Sequence, residues 1–211
     1  MRIHEAHRLE GIDGHRLGSG PDRRRHRRHG RGPLGPGGRY LAFGPAHCAY
    51  CHTLGDQWPH VDAGADVPLS GGYAFRLPIG TIYSANLTPD PETGIGRSTD
   101  GQLARMIRHN VRSDGRAAAP FMEFQNLSDD DVAALIAVLR SQEPVRNPVP
   151  EHEPTLIVKA VMAFLIKPSG PSTTPPATSP VEAPTVERGE YLANSVANCA
   201  GCHSPRSMMD G

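Results

Sequence analysis

The sequence predicts an all-α fold, in which one small helical domain is followed by the start of a second copy. Two observations predict this. Residues 99–111 and 128–141 carry apolar side chains at the spacing of amphipathic helices. Each range begins with a residue that caps helices well, Thr99 or Asp100 in the first and Ser128 in the second. A five-residue pattern, Cys-x-x-Cys-His, begins at Cys48 and again at Cys199, and it uses all four cysteines of the chain.

The two copies share more than this pattern. Gly-Arg-Tyr-Leu-Ala at 38–42 precedes the first motif, and Gly-Glu-Tyr-Leu-Ala at 189–193 precedes the second. In both, the tyrosine lies eight residues before the first cysteine. Only eight residues follow His203, so we expect the second copy to be truncated. The chain therefore divides into 1–38, a disordered or wrongly assigned N-terminus; 39–144, the first domain; 145–184, a connecting helix and a linker rich in Pro, Ser and Thr; and 185–211, the start of the second copy.

The repeated motif is the attachment signature of c-type haem. In that chemistry two thiols bond covalently to the porphyrin and the adjacent histidine binds the iron. Positions i, i+3 and i+4 share one face of a helix, so Cys48, Cys51 and His52 can all face one flat cofactor. The second copy offers Cys199, Cys202 and His203.

Other uses of the cysteines stay open. A bare Cys-x-x-Cys is also found in thiol redox pairs, in disulfides and in zinc half-sites, and two pairs can form one zinc site with four thiolate ligands. None of these requires a histidine directly after both second cysteines, so the motif favours haem.

The opposite side of the iron in the first domain needs a ligand from distant chain, usually Met or His. Met122 is the best candidate, because it lies beside Pro120 in a loop before the last helix of the domain. Met106 has the spacing of a core residue on a helix, and His109 lies on an Arg-flanked, solvated face. In the second copy, Met208 and Met209 follow His203 too closely to wrap around to the far side easily.

Charge and hydropathy limit the partners and the cellular location that the chain can have. The net charge is zero, but residues 1–39 hold ten arginines and four acids, and the remainder is acidic. This basic start could be an arm for nucleic acid or an anionic membrane; we favour a disordered or misassigned start, and hence no nucleic-acid partner. No segment reaches the roughly 18 to 20 apolar residues that span a bilayer, and no signal peptide is visible. Covalent haem attachment nevertheless implies a periplasmic setting.

The remaining segments are less regular. Residues 53–97 are rich in loops, with an extended run at 81–84. Residues 156–166 are apolar and about eleven residues long; we expect a helix lying on the first domain, with contact to a membrane surface as the alternative. Residues 167–184 read as a linker, and 187–197 as the helix that delivers the second motif.

The sequence resembles the bacterial multi-haem class I cytochromes c, including the cytochrome subunits of membrane-bound alcohol, aldehyde and gluconate dehydrogenases. Besides the motifs, the matching stretches are collinear: 80–90, 93–96, 114–116, the Met122 loop, 127–132 and 139–141, and in the second copy 187–192 and 202–206. Two departures are Ser98, where the family usually has an aromatic residue, and Glu123, where proline often follows the methionine.

This resemblance implies a helical domain around one haem c, with iron bound by His52 and Met122. The second copy lacks its methionine-bearing half, so whether Cys199, Cys202 and His203 hold a second haem stays open. The resemblance also implies that the protein is an electron carrier of the respiratory chain, without catalytic residues of its own. It would take electrons from a dehydrogenase and pass them to quinone or an oxidase. Peripheral association with the membrane is an option. The alternatives are a di-haem peroxidase-like enzyme and a zinc-binding module.

Overall fold

A computed structural model describes residues 36–78, 80–118, 121–199 and residue 203. Short helices dominate it, joined by long connections. The helices are α1 (Pro36–Phe43), α2 (Cys48–His52), a 3₁₀ turn (Gly55–Gln57), α3 (Trp58–Asp62), α4 (Asp100–His109), α5 (Asp129–Ser141), α6 (Leu156–Phe164), α7 (Val186–Tyr191) and a π-helical turn (Leu192–Val196). The strands are β1 (Ala74–Leu77), β2 (Gly80–Tyr83) and β3 (Glu153–Pro154). Residues 1–35, which hold most of the predicted disordered start, lie outside the described part.

The prediction of an all-α fold needs one correction, a small antiparallel sheet in the order β1-β2-β3. Ala74 pairs with Tyr83 at the start of a hairpin, and Gly80 pairs with Pro154. Gly80 has a positive φ of 120°, and a Cβ there would lie 2.3 Å from the Glu153 carbonyl oxygen. The third strand is only two residues long and follows a proline-rich connection, so no pattern in the sequence marks it.

The core of the first domain is the crossing of α1 and α5, where a glycine permits close approach. A Cβ on Gly38 would lie 2.3 Å from the carbonyl oxygen of Ala134 and 3.0 Å from Val138. Around this crossing Leu41 and Leu127 are fully buried in one apolar cluster. A second cluster lies beside it and consists of Ala49, Val61, Val67, Leu69, Ile95 and Leu139.

The caps of α4 and α5 agree with the sequence. Thr99 and Gln102 form a reciprocal capping box at the start of α4. Ser128 caps α5 by accepting from the backbone N–H of Asp131, so the helix begins at the predicted residue. The backbone N–H groups of Asp129 and Asp130, which have no acceptor within the helix, donate to two carbonyls in the segment that the sequence predicts to be a linker. These are the carbonyls of Pro176 and Ala177.

Residues 145–154 are held against the first domain in the same way. Asn86 donates to the Val145 carbonyl at 2.8 Å, and Asn147 donates to the Ser70 carbonyl at 2.9 Å. Arg146 forms an ion pair with Glu92 at 2.8 Å. The connection that follows α5 is therefore fixed by polar contacts before the chain reaches α6.

Helix α7, which leads to the second motif, packs on the N-terminal end of α5 through Tyr191. This side chain joins the first apolar cluster, and its hydroxyl donates to the Asp131 carboxylate at 2.6 Å. The same hydroxyl accepts from the Ser128 backbone N–H at 2.9 Å. Burial and the bond to Asp131 raise the pKa of Tyr191 to about 12.

Helix α6 departs from the expectation that it lies on the first domain. Most of its described side chains are exposed, including the large apolar ones of Leu156 and Phe164. Within the ranges that the structure describes, no helix has both the length and the apolar character to cross a membrane.

Candidate haem-attachment site

The first motif forms the short helix α2, as its spacing predicts. His47, directly before it, adopts a left-handed conformation (φ 54°) that turns the chain into the helix. Cys48 is partly buried and packs against both apolar clusters, whereas Cys51 is exposed. Both are free thiols. One helical turn therefore presents one thiol at the core, one at the surface and a histidine directly beyond them.

His52 is buried, with 8% of its surface exposed, and its ring is oriented by a backbone carbonyl. Its Nδ1 lies 2.8 Å from the oxygen of Ala85. Because a carbonyl only accepts, the proton is on Nδ1 and the lone pair is on Nε2, the arrangement that a metal-binding histidine needs. Burial lowers the pKa of His52, against a smaller opposing effect of the bond to Ala85, so the neutral ring is favoured.

Gly71 lets the Ala85 carbonyl reach this ring. Its φ is +72°, and a Cβ there would lie 2.4 Å from the Ala85 carbonyl carbon and oxygen. The Gly71 N–H also donates to the His52 carbonyl at 2.7 Å. The loop therefore holds His52 by its backbone and by its ring, and only glycine fits at this point.

Burial raises the pKa of the Cys48 thiol to about 12, with a smaller contribution from neighbouring Cys51. The thiol is thus protonated at neutral pH. Across the part of the chain that the structure describes, no group of three or more His, Cys, Asp or Glu side chains is placed to hold a metal ion.

The second motif has different surroundings. Asn198 is left-handed (φ 49°), as His47 is before the first motif, but Cys199 and His203 are exposed. Cys202, Met208 and Met209 lie outside the described residues. The Asn198 side chain donates to the Glu123 carboxylate at 2.5 Å. The residue before the second motif therefore contacts the residue after Met122.

The predicted distal ligand lies in the loop that precedes α5. Met122 is half-buried there, between exposed Phe121 and half-buried Glu123. Its role as an iron ligand stays a prediction. Met106 and His109 are both half-buried on α4, and the His109 carbonyl accepts from Ser169 in the connection after α6.

The residues of the first site fit a covalently attached haem. Two free thiols on one helical turn, a neutral histidine with Nε2 available and two apolar clusters in contact with Cys48 are the donors and surface that the group requires. The sequence reasoning missed Ala85 and Gly71. Ala85 acts through its backbone, which carries no residue-type signal, and the pair Gly71-Gly72 indicated only a turn.

Comparisons with known proteins identify relatives that match most of the chain. No protein-family model matches the chain. The cytochrome c subunit of the quinone alcohol dehydrogenase of Gluconobacter oxydans is 37% identical over 175 residues, which cover 80% of this chain and 34% of that protein. The fructose dehydrogenase cytochrome subunit of Gluconobacter japonicus is 33% identical over 82% of this chain and 35% of its own length.

A third relative, a di-haem c-type cytochrome of Cereibacter sphaeroides, is 30% identical over 78% of this chain and 55% of its own length. The chain thus spans about a third of the two dehydrogenase subunits and about half of the di-haem protein. The resemblance predicted from the two motifs is thereby confirmed: this chain is related to the cytochrome c subunits of dehydrogenases and to di-haem c-type cytochromes.

Proposed function

We propose that this chain is an electron carrier that holds haem c at Cys48 and Cys51, with His52 and Met122 as the axial ligands of the iron. The observation that carries the proposal is the buried His52 ring, whose Nδ1 is bound by the Ala85 carbonyl so that Nε2 is free to coordinate. Bound haem supplies an iron that changes oxidation state without a change of ligands.

The residues of the chain supply the surroundings that such an iron needs. Ala85 and Gly71 fix the orientation and tautomer of His52. The apolar clusters around Cys48 exclude water from one side of the motif, which favours a stable coordination sphere. Met122, approaching from the loop before α5, would fill the remaining position and leave none open for oxygen or peroxide.

The relatives support the wider role. They are cytochrome subunits of dehydrogenases, so we propose a dehydrogenase as the electron donor, quinone or an oxidase as the acceptor, and a periplasmic location at the membrane. The second motif would hold a second haem through Cys199, Cys202 and His203, as a di-haem relative suggests. We place no catalytic residue in this chain.

The test is the haem content of the exported protein, measured by the pyridine haemochrome assay in three forms. We expect two haems per chain in the unaltered protein and one in each of the variants Cys48→Ala/Cys51→Ala and Cys199→Ala/Cys202→Ala. The first variant should also lose thermal stability, because Cys48 packs in the core and Cys199 is exposed. An unaltered protein without covalent haem would overturn the proposal.

A further inference from the structure

Helix α6 is an apolar segment that is attached to the rest of the fold at both ends, and most of its described side chains are exposed. Before it, β3 pairs with β2 through Glu153 and Pro154. After it, the Ser169 hydroxyl accepts from Asn110 at 2.8 Å and from Gln125 at 3.0 Å. Backbone pairing holds the chain before α6, and side-chain hydrogen bonds hold it after α6, so both ends of the helix are attached to the first domain.

The exposed apolar side chains of this segment lie on one side of the helix. Leu156 is 82% exposed, Phe164 81% and Leu165 69%, and Val161 is exposed as well. At 100° per residue these four positions cover about half of the helix circumference, and Val158, which is less exposed, follows at the edge of that arc. Large apolar side chains left in water at this density mark an interaction surface.

The charges around α6 indicate which kind of surface it meets. The chain contains 22 lysines and arginines, and its only two lysines are Lys159 and Lys167, both exposed in or shortly after this helix. No acidic residue occurs from 154 to 181. An ammonium on a long flexible stem can stay at the level of lipid headgroups while neighbouring apolar groups enter the acyl region.

We propose that α6 lies in the surface of an anionic lipid bilayer and attaches the first domain to it, with Leu156, Val161, Phe164 and Leu165 inserted and the two lysines at the headgroups. A nine-residue helix is about 14 Å long, which suits an interfacial position and not a span. Charge favours lipid over the same helix of a second copy, because no acidic residue lies between 154 and 181 to pair with Lys159 and Lys167, whereas anionic headgroups would neutralise both.

This inference rests on the proposed function for its setting, an exported carrier beside a membrane. The test is flotation of the haem-loaded, full-length protein with vesicles of phosphatidylcholine alone or with about a third of phosphatidylglycerol as the anionic lipid. The absorbance of the floated fraction measures its haem content, and the amount of protein in the same fraction measures binding. Loss of haem and loss of membrane contact are therefore distinguished. We expect flotation with the anionic vesicles and much weaker flotation with the neutral ones.

Two variant pairs locate the contact. Phe164→Asp/Leu165→Asp should weaken binding at least roughly tenfold, because two carboxylates would enter the apolar region. Its control, Val181→Asp/Val186→Asp, adds the same charges at exposed valines outside the helix and should float like the unaltered protein. Lys159→Gln/Lys167→Gln should weaken anionic binding about fivefold per lysine, whereas Arg97→Gln/Arg105→Gln should not.

Several results would overturn the proposal. They are absence of flotation in the unaltered protein, flotation of the Phe164→Asp/Leu165→Asp variant equal to that of the unaltered protein, or an equal loss in the valine control. A dimer in gel filtration that the same Phe164→Asp/Leu165→Asp change converts to a monomer would also overturn it, because a second copy would then cover the helix. Circular dichroism of each variant should match the unaltered protein, since every substituted side chain is exposed.

Discussion

The two Cys-x-x-Cys-His motifs have the same spacing and contrasting surroundings. His52 is buried and its ring is bound by Ala85, whereas His203 is exposed. Cys48 contacts two apolar clusters, whereas Cys199 is exposed. The spacing of the motif thus does not determine whether its histidine and cysteines are buried. Burial and orientation of the histidine come from residues further along the chain, at Gly71 and Ala85.

The residues before the motifs differ in the same manner. Tyr40 and Tyr191 hold equivalent positions, but Tyr40 is 51% exposed and Tyr191 is 7% exposed. Gly38 is in close contact with α5, whereas a Cβ on Gly189 would meet nothing within 4 Å among the described residues. One helix, α5, thus serves both copies: α1 crosses it through Gly38, and α7 covers its N-terminal end through Tyr191.

The largest effect on the difference between the two motifs is expected when Met122, the proposed distal ligand of the first iron, is removed. In a Cys199→Ala/Cys202→Ala background, Met122→Ala should convert the remaining haem from a low-spin form to a high-spin form that binds carbon monoxide, because a coordination position opens. Absorption spectra with and without carbon monoxide measure this. Met106→Ala is the control, since it also truncates a half-buried methionine, and it should leave the haem low-spin. An unchanged spectrum of the Met122 variant would show that another group is the ligand.

A smaller effect is expected from the loop that orients His52. Gly71→Ala would place a Cβ 2.4 Å from the Ala85 carbonyl, so the acceptor of the His52 ring must move. Gly64→Ala has a similar positive φ of 78° but nothing within 4 Å, so it measures the backbone cost alone. We expect Gly71→Ala to lower the free energy of unfolding in guanidinium by about 1–3 kcal/mol more than Gly64→Ala. An equal decrease in the free energy of unfolding in both variants would mean that the close contact with the Ala85 carbonyl does not affect stability.

The third prediction compares the two tyrosines directly. Tyr191→Phe removes a hydroxyl that binds Asp131 and Ser128 and should cost about 1–2 kcal/mol of stability. Tyr40→Phe, at the exposed equivalent position, should change stability by less than about 0.5 kcal/mol. The pKa of Tyr191 is raised from 10.0 to about 12. The stabilisation of the fold by its neutral hydroxyl is therefore complete below pH 10.0 and decreases as the pH rises toward about 12.

Thermal unfolding from about pH 8 to about pH 11 measures this dependence in the unaltered protein and in both variants. Tyr191→Phe should abolish a loss of stability that begins near the ordinary tyrosine pKa of about 10, and Tyr40→Phe should retain it. If both variants behave alike, the covering of α5 by the second copy does not stabilise the first domain.

Local patterns in the sequence predicted the helices well. Thr99 and Ser128 cap α4 and α5 where their side chains predict, and α2 covers Cys48 to His52. Such features depend on neighbours within one or two turns, which is why they can be read from the sequence. The extended run at 81–84 was also predicted, and it corresponds to β2.

Partners that are distant in the chain were not predictable. Three features depend on how distant parts of the chain pack against each other. They are the third strand, the exposed position of α6, and the hydrogen bonds that the Pro176 and Ala177 carbonyls accept at the start of α5. The segment 167–184 reads as a linker from its composition, yet part of it supplies hydrogen bonds that the helix would otherwise lack. Backbone carbonyls are the same in every residue type, so the sequence does not mark which of them will accept a hydrogen bond.

By itself the sequence determined the paired thiols with their histidine, the duplication of this motif and the positions of the main helices, because these features depend on residue type and spacing. Only the tertiary structure decided that His52 is buried and bound through Nδ1, and that Tyr191 and not Tyr40 is enclosed. The physical reason is that burial and backbone hydrogen bonds are properties of packing. The two motifs have the same spacing, but only the first is surrounded by α5, the Gly71 loop and the Ala85 carbonyl in the described structure. Its histidine is therefore buried and hydrogen-bonded.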